Sequence, residues 1–282
     1  MEKTMAESKM NIRVAGIVLK WIRCDKALNM QRIEPMIRQA AERGADIVVT
    51  TECFLDGYAI ADKSLDAETY SALGEPIPGG VYYEQLAGLA KELNIHLAVG
   101  LHEIDGGIHY NTAALIGPDG RLIGKYHKQR LGHETNHNTA GSQSLAFETF
   151  HGRLGMMICK DRGDRDLVQH FFDNGAGYVL CLSGGMFGPE KNDPVLQARS
   201  KENGAYIVFV HPCEFLVTGP DGAVRESVLL GNPMGKDQAN VITEDQIGGE
   251  RDQNRVCSFD LPLAVTTPRA AQGDLGPSDE VS

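Results

Sequence analysis

The segment LGMMICKDRGDRDLVQHFFDNGAGYVLCL, residues 154–182, contains the pattern that decides the fold. It begins with an apolar run, 154–159, that predicts a buried strand. The polar cluster KDRG, 160–163, ends this run abruptly, and a helical pattern follows at about 166–174. A second apolar run, 178–182, predicts another strand. Strand, helix and strand in this order are typical of a layered α/β fold.

The same alternation extends in both directions along the chain. The predicted elements are a strand at 12–19, a helix at 27–43, a strand at 46–51, a helix at 81–93, a strand at 95–101, a helix at 194–203, and strands at 205–211 and 255–261. Turn sequences at 105–107, 118–120 and 220–222 predict hairpins. These elements predict mixed sheets covered by helices, in a single domain at residues 11–265. The polar segments 1–10 and 266–282 are expected to be flexible ends.

The overall composition fits a globular protein of 282 residues, of which 42% are apolar and 23% charged. The net charge of −11 disfavours nucleic acid as a partner, because a negative surface repels phosphate backbones. No apolar stretch approaches the length of a membrane-spanning helix, and the first residues lack the apolar core of a signal peptide. The six cysteines are scattered and form no CxxC pair. We therefore expect a reducing, cytoplasmic location without membrane association.

Three reactive side chains stand at the ends of predicted strands. Glu52 follows DIVVTT, Lys128 follows LIGKYH, and Cys159 follows LGMMI. Ligands of α/β sheets gather beyond the carboxyl ends of strands, so separate strands can deliver side chains to one pocket. A strand-to-helix turn at Cys159 would hold its sulfur at an exposed elbow, where a helix N-terminus and a nearby cation favour the thiolate.

Each of these residues also has an ordinary structural explanation. An intracellular cysteine in an apolar run is commonly a buried core residue. A glutamate after a strand is commonly a surface carboxylate, and the run around Lys128 could be a solvated basic face. Taken one at a time, the three residues do not define a reaction.

Together, however, the three motifs resemble a known family over most of the chain. NMQRIEPMIRQAAERGADIVVTTE (29–52) is similar to the first helix and strand of the nitrilase superfamily of carbon–nitrogen hydrolases, which end at a catalytic glutamate. YNTAALIGPDGRLIGKYHKQRL (110–131) resembles the hairpin that delivers a catalytic lysine. GRLGMMICKDR (152–162) resembles the cysteine elbow, and DPVLQARSKENGAYIVFV (193–210) resembles the helix and strand that follow.

The resemblance implies a four-layer α–β–β–α sandwich with a Glu52–Lys128–Cys159 triad and no metal or cofactor. Cys159 would attack a carbonyl or nitrile carbon after passing its proton to Glu52, and a thioester would then be hydrolysed. Lys128 and the backbone N–H of Lys160 would stabilise the oxyanion. The resemblance also implies a homodimer or a larger even-numbered homo-oligomer.

Further residues are candidates for contacts with substrate. Glu134, six residues after Lys128, corresponds by resemblance to a second glutamate that positions the substrate. MMICKDR resembles the elbow of the N-carbamoyl-D-amino-acid hydrolases, which bind a substrate carboxylate with an arginine pair; here Gly163 interrupts that pair, leaving Arg162, with Arg165 as a possible substitute. Tyr58 and Ser183 are expected to line the pocket.

Several functions remain open at this stage. The main hypothesis is hydrolysis of a small linear amide or an N-carbamoyl compound. A nitrile substrate needs the same triad, and a ligand-binding member of the fold without turnover is a further alternative. A redox-sensing thiol would need a resolving cysteine near Cys159, for which Cys181 is the candidate.

Overall fold

The computed structural model describes residues 11–185, 188–231 and 240–262 of the chain. Within these residues, the strands are β1 Asn11–Val18, β2 Ile47–Val49, β3 His96–Asp105, β4 Ile108–Ile116, β5 Leu122–His127, β6 Ala146–Thr149, β7 Gly152–Ile158, β8 Tyr178–Leu182, β9 Tyr206–His211, β10 Glu214–Thr218, β11 Val224–Leu229 and β12 Arg255–Pro262. The α-helices are α1 Lys26–Glu42, α2 Ala67–Ala72, α3 Val81–Leu93, α4 Arg165–Asp173 and α5 Pro189–Asn203.

The strands form two six-stranded sheets with a shared plan. The first sheet has the order β12-β1-β2-β3-β4-β5, and the second has the order β11-β10-β9-β8-β7-β6. In each sheet three central strands run parallel: β1, β2 and β3 in the first, and β7, β8 and β9 in the second. Antiparallel strands complete both sides of each sheet. The carboxyl ends of the parallel strands can therefore carry side chains to a common region.

The two sheets pack face to face, and helices cover their outer faces. Ile12 and Val14 on β1 share an apolar cluster with Leu154 and Met156 on β7, so the facing sides of the two sheets are packed together. Helices α1 and α3 pack on the first sheet, and α4 and α5 pack on the second. Gly16 allows the sheets to approach, because a Cβ there would lie 2.4 Å from the ring of Phe215. The predicted four-layer α–β–β–α sandwich is confirmed.

Helix α4 shows how the local sequence sets the boundary after the cysteine. Asp164 has an extended backbone, and its carboxylate accepts a hydrogen bond from the Leu167 N–H at 3.0 Å, as N-cap residues do. Leu167, Val168 and Phe171 then bury one face of the helix against the second sheet. The helix therefore cannot begin before residue 165, and residues 159–163 form a separate short turn.

The predicted hairpins at 105–107, 118–120 and 220–222 are present. Helix α5 begins at Pro189, five residues before the predicted start, because a proline is accepted in the first helical turn. Pro194, the predicted first residue, lies within the helix. The predicted strand 154–159 ends one residue earlier, at Ile158. The predicted flexible ends lie outside the described residues, and the single-domain assignment stays a prediction. None of the described helices is both long and apolar enough to cross a bilayer.

Candidate active site

Glu52 lies just beyond the end of β2, inside the protein. Its side chain is fully buried, and its backbone N–H donates to the carbonyl of Ser183, directly after β8 of the second sheet, at 3.4 Å. The turn that carries it packs closely on β3, where a Cβ at Gly100 would lie 2.3 Å from the carbonyl oxygen of Thr51. The hydroxyl of Thr51 accepts a hydrogen bond from the indole N–H of Trp21 at 2.8 Å. These contacts hold Glu52 between the two sheets.

Lys128 forms two ion pairs directly after β5. Its Nζ lies 2.6 Å from a carboxylate oxygen of Glu52 and 2.6 Å from one of Glu134, and all three side chains are buried. Burial by itself lowers the pKa of the Lys128 ammonium, but neighbouring charges, with Glu52 foremost and Cys159 among them, outweigh it, so the pKa lies well above its usual value. Lys128 is therefore a permanent cation in this site.

Asn111 on β4 joins the two glutamates, and it was not among the residues predicted from the sequence. Its side-chain amide donates to Oε1 of Glu52 at 2.8 Å and to Oε1 of Glu134 at 2.6 Å. Its backbone carbonyl accepts the N–H of Lys128 at 2.9 Å. The available signal was a polar residue at the start of the buried run NTAALI, in a strand paired with the one that ends at Lys128.

Cys159 opens a short 3₁₀ turn, Cys159–Gly163, which we call the cysteine elbow. The backbone of Cys159 has a φ of +47°, an uncommon conformation for a residue other than glycine. Its side chain is only 8% exposed, so the expectation of an exposed sulfur is wrong. Because the turn directs the side chain back between the sheets, the sulfur lies inside the sandwich. The thiol lies 3.3 Å from the carbonyl oxygen of Gly185.

Asp161 attaches the cysteine elbow to the lysine segment of the opposite sheet. One of its carboxylate oxygens accepts the Arg130 N–H at 2.7 Å, and the other accepts the Tyr126 hydroxyl at 2.8 Å. The second oxygen also accepts the N–H of Ile158, just before the nucleophile candidate, at 3.1 Å. Asp161 therefore fixes the position of the elbow relative to Lys128.

The residues after β8 lie against both Glu52 and Cys159. A Cβ at Gly184 would lie 2.9 Å from Oε2 of Glu52, and a Cβ at Gly185 would lie 3.7 Å from the sulfur of Cys159. These two positions therefore have no room for a side chain beside the carboxylate and little beside the thiol, while Lys128 is bonded to that carboxylate. The three residues predicted to form a triad are brought together around one buried region.

The second carboxylate oxygen of Glu52 has a distinct property. Oε1 accepts bonds from Lys128 and Asn111, whereas Oε2 is buried without a hydrogen-bond partner among the described residues. A buried carboxylate oxygen without a donor is costly unless a ligand or a proton satisfies it. This oxygen is therefore the one available to accept a proton.

The other predicted substrate-contact residues occupy varied positions. Tyr58 is buried, its ring centroid lies 5.6 Å from that of Trp21, and burial together with the charge of Glu52 raises the pKa of its phenol well above the usual value. Ser183 is buried, and its hydroxyl donates to Gly185 O at 3.2 Å, so it already has a partner. The side chain of Lys160 points to the surface, where Nζ donates to Leu131 O at 3.0 Å.

The two arginines after Cys159 differ sharply. The guanidinium of Arg162 is buried and donates to the carbonyl oxygens of Cys159 and of Gly185, the latter at 3.1 Å. These contacts indicate that Arg162 holds the elbow in place. They disfavour the predicted contact of Arg162 with a substrate carboxylate. The side chain of Arg165 is 71% exposed and lies 3.8 Å from a carboxylate oxygen of Glu202, so it is a surface residue of α4.

Two other cysteines bear on the open hypotheses. The sulfur of Cys53 lies 3.3 Å from Oδ1 of Asn111, because β2 has ended before Cys53 and the φ of Cys53 is +42°. Cys181 is fully buried on β8, and desolvation raises its pKa. A buried thiol that resists ionisation is a poor resolving cysteine, which disfavours the redox hypothesis.

Comparison with known proteins gives matches over most of the chain. A family model described as carbon–nitrogen hydrolase matches residues 13–239. The chain is 31% identical over 252 residues to omega-amidase NIT2 of Homo sapiens, covering 84% of this chain and 87% of that protein. It is 28% identical over 255 residues to omega-amidase NIT2 of Danio rerio, covering 85% and 87%.

Solved structures show the same fold. Nit3 of Saccharomyces cerevisiae, a member of branch 10 of the nitrilase superfamily, superposes with a TM-score of 0.73 at 23% identity, covering 92% of this chain and 94% of that one. An amidase from Nesterenkonia sp. superposes with a TM-score of 0.70 at 21% identity, covering 92% and 93%.

Proposed function

The chain belongs to the nitrilase superfamily of carbon–nitrogen hydrolases, and from this premise we propose that it hydrolyses small linear amides through a thioester on Cys159. Glu52 carries the proton, and Lys128 stabilises charge. The observation that carries the proposal is the buried carboxylate of Glu52. Lys128 holds one of its oxygens, and the other oxygen has no donor among the described residues. That second oxygen lies beside Gly184, next to Gly185, which borders the sulfur of Cys159.

In the first half of the reaction, the S–H bond of Cys159 breaks and its proton moves to Oε2 of Glu52. The sulfur forms a bond to the amide carbon, and the carbonyl oxygen becomes an oxyanion near the Lys128 ammonium and the backbone N–H of Lys160. Fixed donors of this kind each contribute about 3 kcal/mol or more to lowering the barrier. The C–N bond then breaks, and the amine takes the proton from Glu52 as it leaves.

In the second half, water attacks the thioester. Glu52 takes a proton from the water as the water oxygen bonds to the thioester carbon, the C–S bond breaks, the acid leaves, and Glu52 returns the proton to the sulfur of Cys159. Glu52 thus serves as acid and base in turn, which its environment favours because Lys128 and Asn111 hold one oxygen in place throughout. Glu134, held by the same two residues, is proposed to position the amide nitrogen.

Terminal amides are the first substrates to test, since the curated relatives are named omega-amidases. The N-carbamoyl alternative relied on Arg162 as a carboxylate ligand, and its guanidinium already bonds two carbonyl groups. Nitriles require the same three residues, so matched amide, N-carbamoyl and nitrile compounds of equal chain length should be compared by ammonia release.

The decisive experiment is to mix the protein with a terminal amide, quench the reaction rapidly, and measure the masses of the intact protein and of its peptides. The expected result is an acyl adduct on the peptide containing Cys159, with ammonia release in the same sample. The adduct should vanish in C159A and persist in C181A, which removes a fully buried neighbouring thiol. Stoichiometric labelling of Cys159 by thiol reagents, with neither adduct nor ammonia across a broad amide panel, would instead support a binding protein without turnover.

We also propose, by analogy with the superfamily, that the protein is a homodimer or a larger even-numbered homo-oligomer. Light scattering coupled to size-exclusion chromatography tests this directly. A single species with the mass of one 30.6 kDa chain at micromolar concentration would contradict it.

A further inference from the structure

Arg162 is a buried cation directly behind the nucleophile candidate. Its side chain is only 9% exposed, and its guanidinium lies over the ring of Phe209, 5.6 Å from the centroid. It donates to the carbonyl oxygen of Cys159 and, from Nη2, to that of Gly185 at 3.1 Å. The planar group is thus fixed on several sides.

No carboxylate pairs with this guanidinium in the part of the chain that the structure describes. Burying a cation without an anion is costly, and carbonyl dipoles compensate for it only in part. The sulfur of Cys159 lies 3.5 Å from Nη1, within contact distance of the charge. Burial by itself lowers the pKa of Arg162. Electrostatic interactions with neighbouring groups, of which that with Cys159 is the largest, outweigh burial and raise this pKa.

Arg162 adds a second positive charge to the site, on the side of Cys159. Lys128 carries one positive charge between the carboxylates of Glu52 and Glu134. Asp161 is a further buried carboxylate, held by the N–H groups of Arg130 and Ile158. When the thiol proton moves to Glu52, one negative charge leaves the Lys128 side and forms next to Arg162, so the sum is unchanged and the buried guanidinium gains an anion.

The carbonyl oxygen of Gly185 lies where loss of the thiol proton from Cys159 would affect it. It accepts bonds from the Cys159 thiol at 3.3 Å, from Arg162 at 3.1 Å and from the Ser183 hydroxyl at 3.2 Å. When the thiol loses its proton, two donors still hold this oxygen, and the guanidinium shields the sulfur from it. Arg162 therefore bonds the two groups that would otherwise repel each other.

We infer that Arg162 stabilises the thiolate of Cys159 as a second cation, opposite Lys128, and does not bind a carboxylate of the substrate. The inference rests on the proposed function only in taking Cys159 as the nucleophile. Other titratable groups around the sulfur are Lys128 and Tyr58 from the first sheet, the two glutamates bonded to Lys128, and Cys181 on β8. Asp161 lies on the elbow itself, and His211 on β9 and Glu214 on β10 interact electrostatically with Arg162. A comparison at position 162 alone leaves all of these in place.

The test is the rate of alkylation of Cys159 by iodoacetamide, an uncharged reagent, measured by peptide mass spectrometry as a function of pH. The variants are Arg162→Gln and Arg162→Met, which remove the charge with a polar and an apolar side chain, and Arg162→Lys, which keeps it. Arg165→Gln is the matched control, because it removes an exposed arginine from the helix that follows the elbow. Thermal unfolding shows which of the two neutral variants is folded, and the alkylation profile is compared for that variant.

In the neutral variants, the pH of half-maximal alkylation should rise by about one to three units, as expected for loss of an opposite charge in contact. Arg162→Lys should lie closer to the wild-type protein than the neutral variants do, and Arg165→Gln should match the wild-type protein. An unchanged profile in a folded neutral variant would overturn the inference. So would a loss of activity confined to amides that carry a carboxylate, with neutral amides of equal length unaffected.

Alkylation requires no turnover, so this test is separate from that of the proposed function. A shifted alkylation profile in a protein that hydrolyses no amide would support the role of Arg162 while refuting the amidase. Conversely, normal amide hydrolysis with an unshifted profile would refute only the role of Arg162.

Discussion

The side-chain nitrogen of Asn111 lies 2.8 Å from Oε1 of Glu52, and this contact determines which oxygen of the carboxylate is left without a donor. The same nitrogen donates to Glu134 at 2.6 Å. A neutral amide thus holds two like-charged groups at a fixed separation while Lys128 neutralises one of them. Without the amide, the carboxylates would be free to rotate around the ammonium.

Asn111→Ala should therefore lower kcat by about 10- to 100-fold, equivalent to about 1.4–2.7 kcal/mol, because hydrogen bonds to charged groups contribute on this scale. Asn111→Asp should be worse, since it adds a third carboxylate. Thr112→Val is the matched control, because the hydroxyl of the neighbouring Thr112 donates to Glu103 at 2.7 Å instead. Equal steady-state rates for Asn111→Ala and Thr112→Val would argue against a positioning role.

Glu52→Gln should remain folded while losing at least about 100-fold in kcat, the usual contribution of a general base. The glutamine carbonyl can still accept from Lys128, but its amide end cannot accept the thiol proton. Glu103→Gln is a stringent control, because Glu103 is equally buried and is paired with Lys125 and His127. That variant should be less stable yet retain turnover. Near-normal turnover by Glu52→Gln would mean that another group is the base.

The hydroxyl of Thr51, directly before Glu52, accepts the Trp21 indole N–H at 2.8 Å. Thr51→Val leaves that buried donor without an acceptor and should lower the free energy of unfolding by about 1–3 kcal/mol. Urea titration followed by circular dichroism measures the change. In a Trp21→Phe background the same substitution should cost less, because the donor is gone. Equal costs in both backgrounds would exclude this bond as the cause.

Glu214 gives a pH dependence of stability. Burial, the neighbouring Asp193 charge and a hydrogen bond with that side chain raise the pKa of Glu214 from 4.5 to about 8. Between these values the folded chain holds a proton that the unfolded chain has released, so the contribution of Glu214 to stability falls as pH rises from 4.5 to 8. Below 4.5 and above 8 this contribution is constant.

Glu214→Gln should therefore flatten the decline in the free energy of unfolding between pH 5 and pH 8. Asp56, whose pKa burial raises to about 7, adds a decline of the same sign that remains in the variant. Denaturant titrations at several pH values measure both slopes. Parallel curves for the wild-type protein and Glu214→Gln would show that Glu214 ionises normally in the folded chain.

Much of the fold was predictable because it depends on local periodicity. The runs around β7 and β8, the helical pattern of α4 between them and the turns at 105–107 and 118–120 each contain their own signal. Glu52, Lys128 and Cys159 were identifiable because each ends a strand and each lies in a motif with matching flanks. The error came where tertiary context intervened, as for Cys159, which was expected at an exposed elbow and is buried.

The sequence alone predicted the layered α/β architecture and three candidate reactive residues, since the apolar pattern of each segment and the chemistry of each side chain are local properties. Only the tertiary structure decided the electrostatic state of the site. The bonding of Asn111 to two glutamates, the oxygen of Glu52 without a donor and the contact of Arg162 with sulfur depend on which side chains meet across two sheets. Burial increases the energetic effect of each of these contacts, because a charge removed from water must be balanced by the groups that contact it.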